Sequence, residues 1–173
     1  MILSGEEIKK QVQNDRITIN PFNERNINPN SYNYLLAPTL LKVSNEVINP
    51  KKPVYYKEIK LTNKGYILKP GNLYLGSTFE EIGSEYYITS LIGRSSVGRL
   101  GLFLQITADL GQIGAKHCWT LELTVVQPLR IYPFMKIGQV SFWGSAGKDE
   151  IRYLGKYAKY STPHISELHN EMQ

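Results

Sequence analysis

The chain has 173 residues, of which 42% are hydrophobic and 20% are charged. This length and balance predict one globular domain over residues 1–173 and exclude an intrinsically disordered chain. The formal net charge of +5 favours anionic partners. Because the Lys and Arg residues are scattered, a nucleoside triphosphate explains the charge as well as a nucleic acid does, and we expect no nucleic-acid partner.

The cysteine content and the N-terminal sequence indicate the cellular compartment. A single cysteine, Cys118, excludes an internal disulfide and suits a reducing environment. The N-terminus lacks the basic segment and apolar run of a secretory signal. No stretch approaches the ~18 apolar residues of a membrane helix. We therefore expect a cytoplasmic protein without a membrane partner.

The first half of the chain predicts a short helix followed by short strands. Ser4 can cap a helix with Glu6 and Glu7 in its first turn, and residues 17–19 alternate like a strand. Residues 20–33 are rich in Asn and Pro and predict a loop. Alternating runs separated by Pro, Gly and Asn follow at 40–47, 54–59, 65–68 and 73–76. Short strands at this spacing predict a mainly β fold, a barrel or jelly roll.

The central segment, residues 93–122, carries the clearest chemistry. It follows a short apolar run that predicts a strand, and Ser95 or Ser96 can cap a helical turn there. Such a turn, flanked by Arg94 and Arg99, would direct backbone amides and guanidinium groups at one place. That combination suits a phosphate.

The segment ends in an alternating strand at residues 120–125. Its apolar side chains would share the core face: Leu121, Leu123 and Val125. The other face would carry Glu122 between two threonines. A carboxylate on a strand and a phosphate cradle would form the two ends of a nucleotide site.

The remaining chain predicts two more strands, at 130–133 and 137–143, and a loop at 144–147. The last segment, residues 153–173, is polar and contains Pro163. It predicts a tail that becomes ordered against another part of the protein.

The sequence GRSSVGRLGL at residues 93–102 resembles the signature of the dCTP deaminases, within the trimeric dUTPase-like family. Other segments resemble the family in the same order: Met1–Ser4, Leu68–Gly71, Tyr74–Gly76, Thr120–Leu123, Ile137–Gln139 and Gly155–Tyr157. The resemblance covers nearly the whole chain. It implies a dUTPase-like distorted β-barrel with a short N-terminal helix, and a homotrimer with its sites between subunits. It also implies that the tail, residues 153–173, closes over the site.

The same resemblance implies metal-independent hydrolysis of dCTP to dUTP and ammonia, in pyrimidine deoxynucleotide metabolism. Zinc deaminases use a His/Cys/Cys site, whereas this chain has one cysteine, three histidines and no HxE or CxxC motif. A carboxylate must then act as general base among fixed dipoles. We expect Mg²⁺ carried by the triphosphate, and no zinc.

The resemblance also implies roles for single residues. Glu122 is expected to be the general base, Ser95 and the carbonyl of Ala108 to orient the water, and Arg99 to hold the geometry. The residues expected to bind the substrate are Arg94, Ser96, Val97, Gly98, Gln112, Thr120, Leu121, Tyr153, Lys156 and Tyr160. Relatives usually carry Gln where this chain has Tyr160.

A second departure concerns the reaction product. Relatives carry an Asp-Pro-Gly-Phe segment whose Asp contacts the sugar 3′-hydroxyl and, in members that hydrolyse dUTP, serves as base. A gapless count places Gln112 there, whereas a shifted alignment places Asp109 there. We prefer the gapless count, since it needs no compensating insertion and deletion, and therefore expect dUTP as product. The alternatives are a bifunctional enzyme releasing dUMP and pyrophosphate, and a non-catalytic nucleotide-binding regulator.

Overall fold

The computed structural model describes residues 1–105, 107–147, 152, 153, 155 and 160–172. Its helical elements are short: α1 (Gly5–Gln13), α2 (Ser95–Gly98) and 3-10 turns at Glu24–Asn26 and Leu168–Asn170. The strands are β1 (Ile17–Asn20), β2 (Ile27–Asn28), β3 (Ser31–Leu35), β4 (Thr39–Val43), β5 (Tyr56–Lys60), β6 (Tyr66–Leu68), β7 (Tyr74–Ser77), β8 (Glu81–Ser84), β9 (Ile88–Gly93), β10 (Leu102–Gln105), β11 (Leu110–Gly111), β12 (Lys116–His117), β13 (Thr120–Val125), β14 (Leu129–Ile131) and β15 (Lys136–Trp143). The prediction of a mainly β fold is confirmed.

The strands form two five-stranded sheets and two smaller ones. The larger sheets have the orders β10-β13-β7-β4-β5 and β11-β9-β15-β3-β2. The smaller sheets have the orders β1-β8-β12 and β14-β6. Each described strand pair is antiparallel, and most neighbours are not consecutive in the chain. Such crossing connections are typical of jelly rolls.

The core lies between the two large sheets. In β13, Leu121 and Leu123 are completely buried, whereas Thr120, Glu122 and Thr124 are half-buried on the other face. The predicted alternation of this strand is therefore confirmed. Burial of each such leucine contributes roughly 1.5–3 kcal/mol relative to exposure. The alternation anchors one face of β13 in the core and leaves its polar face for chemistry.

The N-terminal helix forms as predicted. The hydroxyl of Ser4 accepts a hydrogen bond of 3.3 Å from the amide of Glu7, which satisfies one donor of the first turn. Ile8 is completely buried and attaches the helix to the core. The helix ends at Gln13 with Asn14 as its C-cap residue, and the next residue, Asp15, takes a φ of 57°. None of the described helices has the length and apolar character needed to cross a bilayer.

The prediction of a loop over residues 20–33 is wrong for its last part, since β2 and β3 lie there. In β3, Tyr32, Asn33 and Tyr34 are all buried, so the strand shows no alternation that a sequence pattern could reveal. The amide of Asn33 donates to the carbonyl of Asn26 at 3.1 Å, which satisfies a polar group inside the core. Strands β8, β10, β11 and β12 were also not predicted; two of them have only two residues.

One glycine is required by the packing of β3 against β15. The hydroxyl of Tyr34 lies 2.0 Å from the position that a Cβ would take at Gly138. The same hydroxyl donates to the carbonyl of Ile92 at 3.1 Å. Any larger residue at position 138 would displace this buried tyrosine. The requirement explains a glycine in the middle of an eight-residue strand.

Candidate active site

A cavity of about 780 Å³ is formed by the polar face of β13, the β10–β12 connection and the C-terminal segment. Its predicted residues are Thr120 and Glu122 of β13, Ala108 and Gln112 of the connection, and Tyr153 and Tyr160 of the C-terminal segment. The structure therefore brings six of the predicted site residues together in one chain. Glu122 is the one carboxylate among the described residues that line the cavity.

Glu122 lies on a strand that is held on both sides. Its Cα is opposite Gln105 of β10 and Leu75 of β7. The hydroxyl of Thr107 donates a hydrogen bond of 2.5 Å to Oε2 of Glu122. The alternation of β13 directs the carboxylate away from the core and into the cavity. The predicted role of Glu122 as general base requires a carboxylate that is accessible from the cavity in this way.

One wall of the cavity is aromatic. The ring centroids of His117 and Trp119 lie 4.2 Å apart. Nε1 of Trp119 donates to the carbonyl of Ile82 at 2.9 Å. Burial lowers the pKa of His117, which favours the neutral imidazole. A Cβ at Gly111 would meet Thr89 at 1.9 Å and Trp119 at 2.5 Å, so only glycine fits there. From the sequence, neither aromatic residue could be assigned to the cavity.

The C-terminal segment lies along the rim. His164 donates its amide to the hydroxyl of Thr120 at 3.2 Å and stacks on Tyr160, with ring centroids 3.6 Å apart. Glu167 accepts from the hydroxyl of Tyr160 and lies 2.9 Å from Nε2 of His164. Ile165 packs on the apolar cluster around Leu75. Lys156 lies outside the described residues, and closure of the tail over substrate stays a prediction.

The predicted phosphate cradle, residues 94–99, forms a helical turn, but no serine caps it as predicted. Helix α2 starts at Ser95 with Arg94 as its N-cap residue, and no side chain makes a capping hydrogen bond. The prediction of a serine cap is therefore wrong. The amides of Val97 and Gly98 instead donate to the carbonyl of Arg94, at 3.0 Å each. Because these two amides are used within the turn, the amides at its very N-terminus are the ones that a phosphate would meet.

The cradle does not line the cavity of its own chain. Ser95, Ser96 and Arg99 are exposed and Val97 is buried. Arg94 donates to the carbonyl of Lys136 at 3.3 Å, and its Nε is buried without a partner among the described residues. These residues and Gly98 are absent from the described lining of the cavity, as is Leu121, whose side chain is completely buried. One chain thus holds the two ends of the predicted site apart.

The structure distinguishes the two residues considered for the acidic position. Gln112 lines the cavity with Glu122, whereas Asp109 is not among its described lining residues. The carbonyl of Asp109 accepts from the amide of Leu91 at 3.1 Å, which attaches this residue to β9. The structure thus places Gln112 beside Glu122, and the gapless count itself stays a prediction. Where relatives were expected to carry a carboxylate, this cavity has a neutral amide.

Metal-ligating side chains do not cluster in the described part of the chain. No group of three or more His, Cys, Asp or Glu residues there could hold a metal ion. His117 and Cys118 both line the cavity, but Nδ1 of His117 lies 3.2 Å from the carbonyl oxygen of Cys118 itself. Burial raises the pKa of the Cys118 thiol, which disfavours the thiolate that a metal would need.

The model of the dCTP deaminase-like family matches residues 2–145. The chain belongs to this family. It is 48% identical over 157 residues to a "dCTP deaminase, dUMP-forming" of Hathewaya histolytica, covering 91% of each chain. It is 45% identical to a protein of the same name from Clostridium beijerinckii, covering 91% of this chain and 90% of the relative. The predicted family and the prediction of an enzyme are confirmed.

A solved structure supports the fold independently. The 2′-deoxycytidine 5′-triphosphate deaminase of Agrobacterium tumefaciens matches with a TM-score of 0.65 at 19% identity. The match covers 82% of this chain and 47% of the other one. At this identity the likeness shows the shared dUTPase-like fold. The names of the sequence relatives specify dUMP as product, which favours the bifunctional alternative over the expected dUTP.

Proposed function

We propose that this protein converts dCTP, with two molecules of water, into dUMP, pyrophosphate and ammonia. The observation that carries the proposal is its likeness, at 43–48% identity over 91% of the chain, to relatives named for dUMP formation. The cavity supports it with one carboxylate, an aromatic wall and a polar tail at its rim. A net charge of +5 suits an anionic nucleotide.

Deamination requires an activated water at C4 of the cytosine ring. Glu122 would take a proton from this water, and the hydroxide oxygen would attack C4 while N3 is protonated. The tetrahedral intermediate then breaks its bond to the exocyclic nitrogen, which leaves as ammonia after accepting a proton. The carbonyl of Ala108 and the hydroxyl of Ser95 would orient the water, and Arg99 would support this geometry.

Release of pyrophosphate requires a second water to attack the α-phosphorus. Gln112 cannot serve as base near pH 7, because a neutral amide does not take up a proton. Phosphoryl transfer depends mainly on positioning and charge stabilisation, and a glutamine can orient the attacking water. We therefore propose that Gln112 orients this water, whose oxygen bonds to the α-phosphorus as the bond to the bridging oxygen of pyrophosphate breaks, while its proton passes to a phosphate oxygen. Mg²⁺, bound through the triphosphate, would supply charge neutralisation. No zinc takes part in this scheme.

We also propose that the protein works as a homotrimer. Arg94, Ser95, Ser96 and Arg99 do not line the cavity of their own chain, so each site would be completed by a neighbouring subunit. Light scattering checks the assembly, and a monomer at micromolar concentration contradicts it. Mixing Ser95→Ala with Glu122→Gln checks the shared site, because mixed trimers would regain sites with both functional parts. Activity that stays at the sum of the two variants contradicts a shared site.

The deciding experiment follows ammonia, pyrophosphate, dUMP and dUTP together during incubation with dCTP and Mg²⁺. Equal amounts of ammonia and pyrophosphate support the proposal. The second candidate function is a deaminase that stops at dUTP, and the amide of Gln112 in the cavity favours it. Accumulation of dUTP without pyrophosphate would establish this second candidate. A cytoplasmic location stays a prediction from the sequence.

A further inference from the structure

The carboxylate of Glu122 is oriented by a single hydrogen bond. Oε2 accepts from the hydroxyl of Thr107 at 2.5 Å. No other donor reaches this carboxylate within the described part of the chain. Thr107 itself lies just beyond β10, the strand whose last residue, Gln105, is opposite Glu122. The acceptor therefore lies on β13, and the donor lies just past the end of β10, the strand paired with it.

The backbone alone cannot fix the position of this carboxylate. Pairing of β13 with β7 and β10 sets the Cα of Glu122 and the direction of its Cβ. Three side-chain torsions remain, and the last of them has a broad distribution. Glu122 is only half-buried, so packing does not remove this freedom. An added contact is needed to keep the carboxylate in one orientation.

A threonine hydroxyl supplies that contact and determines which carboxylate oxygen stays available. It has one proton to donate, and here the proton goes to Oε2. Oε1 is then the oxygen that can accept a proton from water. We propose that Thr107 is a positioning residue, which holds Glu122 so that Oε1 faces the attacking water. The inference rests on the proposed role of Glu122 as general base.

Other polar groups near the carboxylate have different partners. Nε2 of His164 lies 2.9 Å from Glu167, and Nδ1 of His117 lies 3.2 Å from the carbonyl of Cys118. The hydroxyl of Thr120, on the same face of β13, accepts from the amide of His164. Thr107 is therefore the described residue whose loss leaves the carboxylate of Glu122 without a donor.

The test compares Thr107→Val, Thr107→Ser and Thr124→Val. Valine keeps the shape of threonine and removes the donor, whereas serine keeps the donor. Thr124 is a matched control, because it lies on the same face of β13 but does not line the cavity. Loss of a hydrogen bond to a charged group corresponds to about a 10- to 100-fold change in a rate or equilibrium constant. We expect kcat for ammonia release to fall by about that factor in Thr107→Val, with KM unchanged.

Thr107→Ser is expected to keep most of kcat, and Thr124→Val to keep all of it. An undiminished kcat in Thr107→Val would overturn the inference, as would an equal loss in the serine and valine variants. Infrared difference spectra provide a readout that needs no turnover. The carboxylate band that disappears in Glu122→Gln should shift in Thr107→Val and stay in place in Thr107→Ser.

The two readouts separate this inference from the proposed function. An unmodified protein that releases no ammonia from dCTP would refute the proposed function. The infrared comparison would still decide whether Thr107 holds Glu122. An unshifted band in Thr107→Val would refute the positioning role even in an active enzyme.

Discussion

A buried carboxylate outside the candidate site makes the stability of this protein depend on pH. Glu80 lies between β7 and β8 and is 1% exposed. The amide of Leu35 donates to its Oε2 at 2.9 Å. Burial raises the pKa of Glu80 to about 6, although this hydrogen bond acts in the opposite direction. Replacing Glu80 by Gln removes the ionisation and keeps an acceptor oxygen for Leu35.

The sign and size of the effect follow from linkage. A carboxyl group whose pKa is raised by folding binds protons more tightly in the folded state, so its ionisation destabilises the fold. This destabilisation is absent below pH 4.5, the pKa of the carboxyl group in the unfolded chain. It is complete above about pH 6, its pKa in the folded protein. The difference between these values, at about 1.36 kcal/mol for each pH unit, amounts to about 2 kcal/mol. Glu80→Gln should therefore gain up to about 2 kcal/mol above about pH 7.

Urea unfolding at fixed protein concentration, between about pH 4.5 and pH 8, measures this gain. The advantage of Glu80→Gln over the unmodified protein should grow with pH and level off above the pKa of Glu80. Glu81→Gln is the matched control, since Glu81 is the neighbouring carboxylate and is exposed. A surface change of this kind stays within about 0.5 kcal/mol. If the free energy of unfolding of Glu80→Gln and of the unmodified protein changed in parallel with pH, the reasoning would be refuted.

Three further predictions concern the reaction. Glu122→Gln should still bind dCTP in calorimetry but lose about 10²–10⁴-fold in ammonia release, because the amide cannot act as base; a near-normal rate would mean that another residue is the base. A zinc-selective chelator should leave the rate unchanged, and Mg²⁺ alone should restore a rate lowered by EDTA; a need for Zn²⁺ would contradict the mechanism. Gln112→Ala should uncouple deamination from pyrophosphate release, so that dUTP accumulates while ammonia release continues. Asp109→Asn should leave the products unchanged. Loss of dUMP in Asp109→Asn alone would instead identify Asp109 as the residue of the second step.

Most of the fold could be predicted because it depends on local patterns. The cap at Ser4 and the alternation in β13 are properties of adjacent residues, and the structure confirms both. Strand β3 could not be found this way. Its buried asparagine and two buried tyrosines depend on partners far away in the chain, such as Ile92 for the hydroxyl of Tyr34. A strand that is buried on both faces carries no alternating signal.

The candidate site could be predicted in part for a similar reason. Residues 107–122 are close in sequence, so one segment supplies both Gln112 and Glu122 to the cavity. The position of the phosphate cradle relative to that cavity depends on the pairing of β9 with β15 in one sheet and of β10 with β13 in the other. Residue spacing alone does not indicate that the cradle and the cavity lie apart within one chain. The hydrogen bond of Thr107 was likewise beyond sequence reasoning, because it depends on side-chain geometry.

The position and the product of the site are separate questions. The gapless count predicts Gln112 at the position of the acidic residue, and Gln112 lines the cavity. The step from an amide at this position to dUTP as product assumed that hydrolysis of the phosphate chain needs a carboxylate base. That assumption is weaker for phosphoryl transfer than for deamination, since charge neutralisation and orientation of water supply most of its catalysis. Attack on C4 of a neutral ring requires a stronger nucleophile, and in the proposed mechanism Glu122 is the base that generates it. An amide at position 112 and a carboxylate at position 122 are therefore compatible with both steps in one cavity.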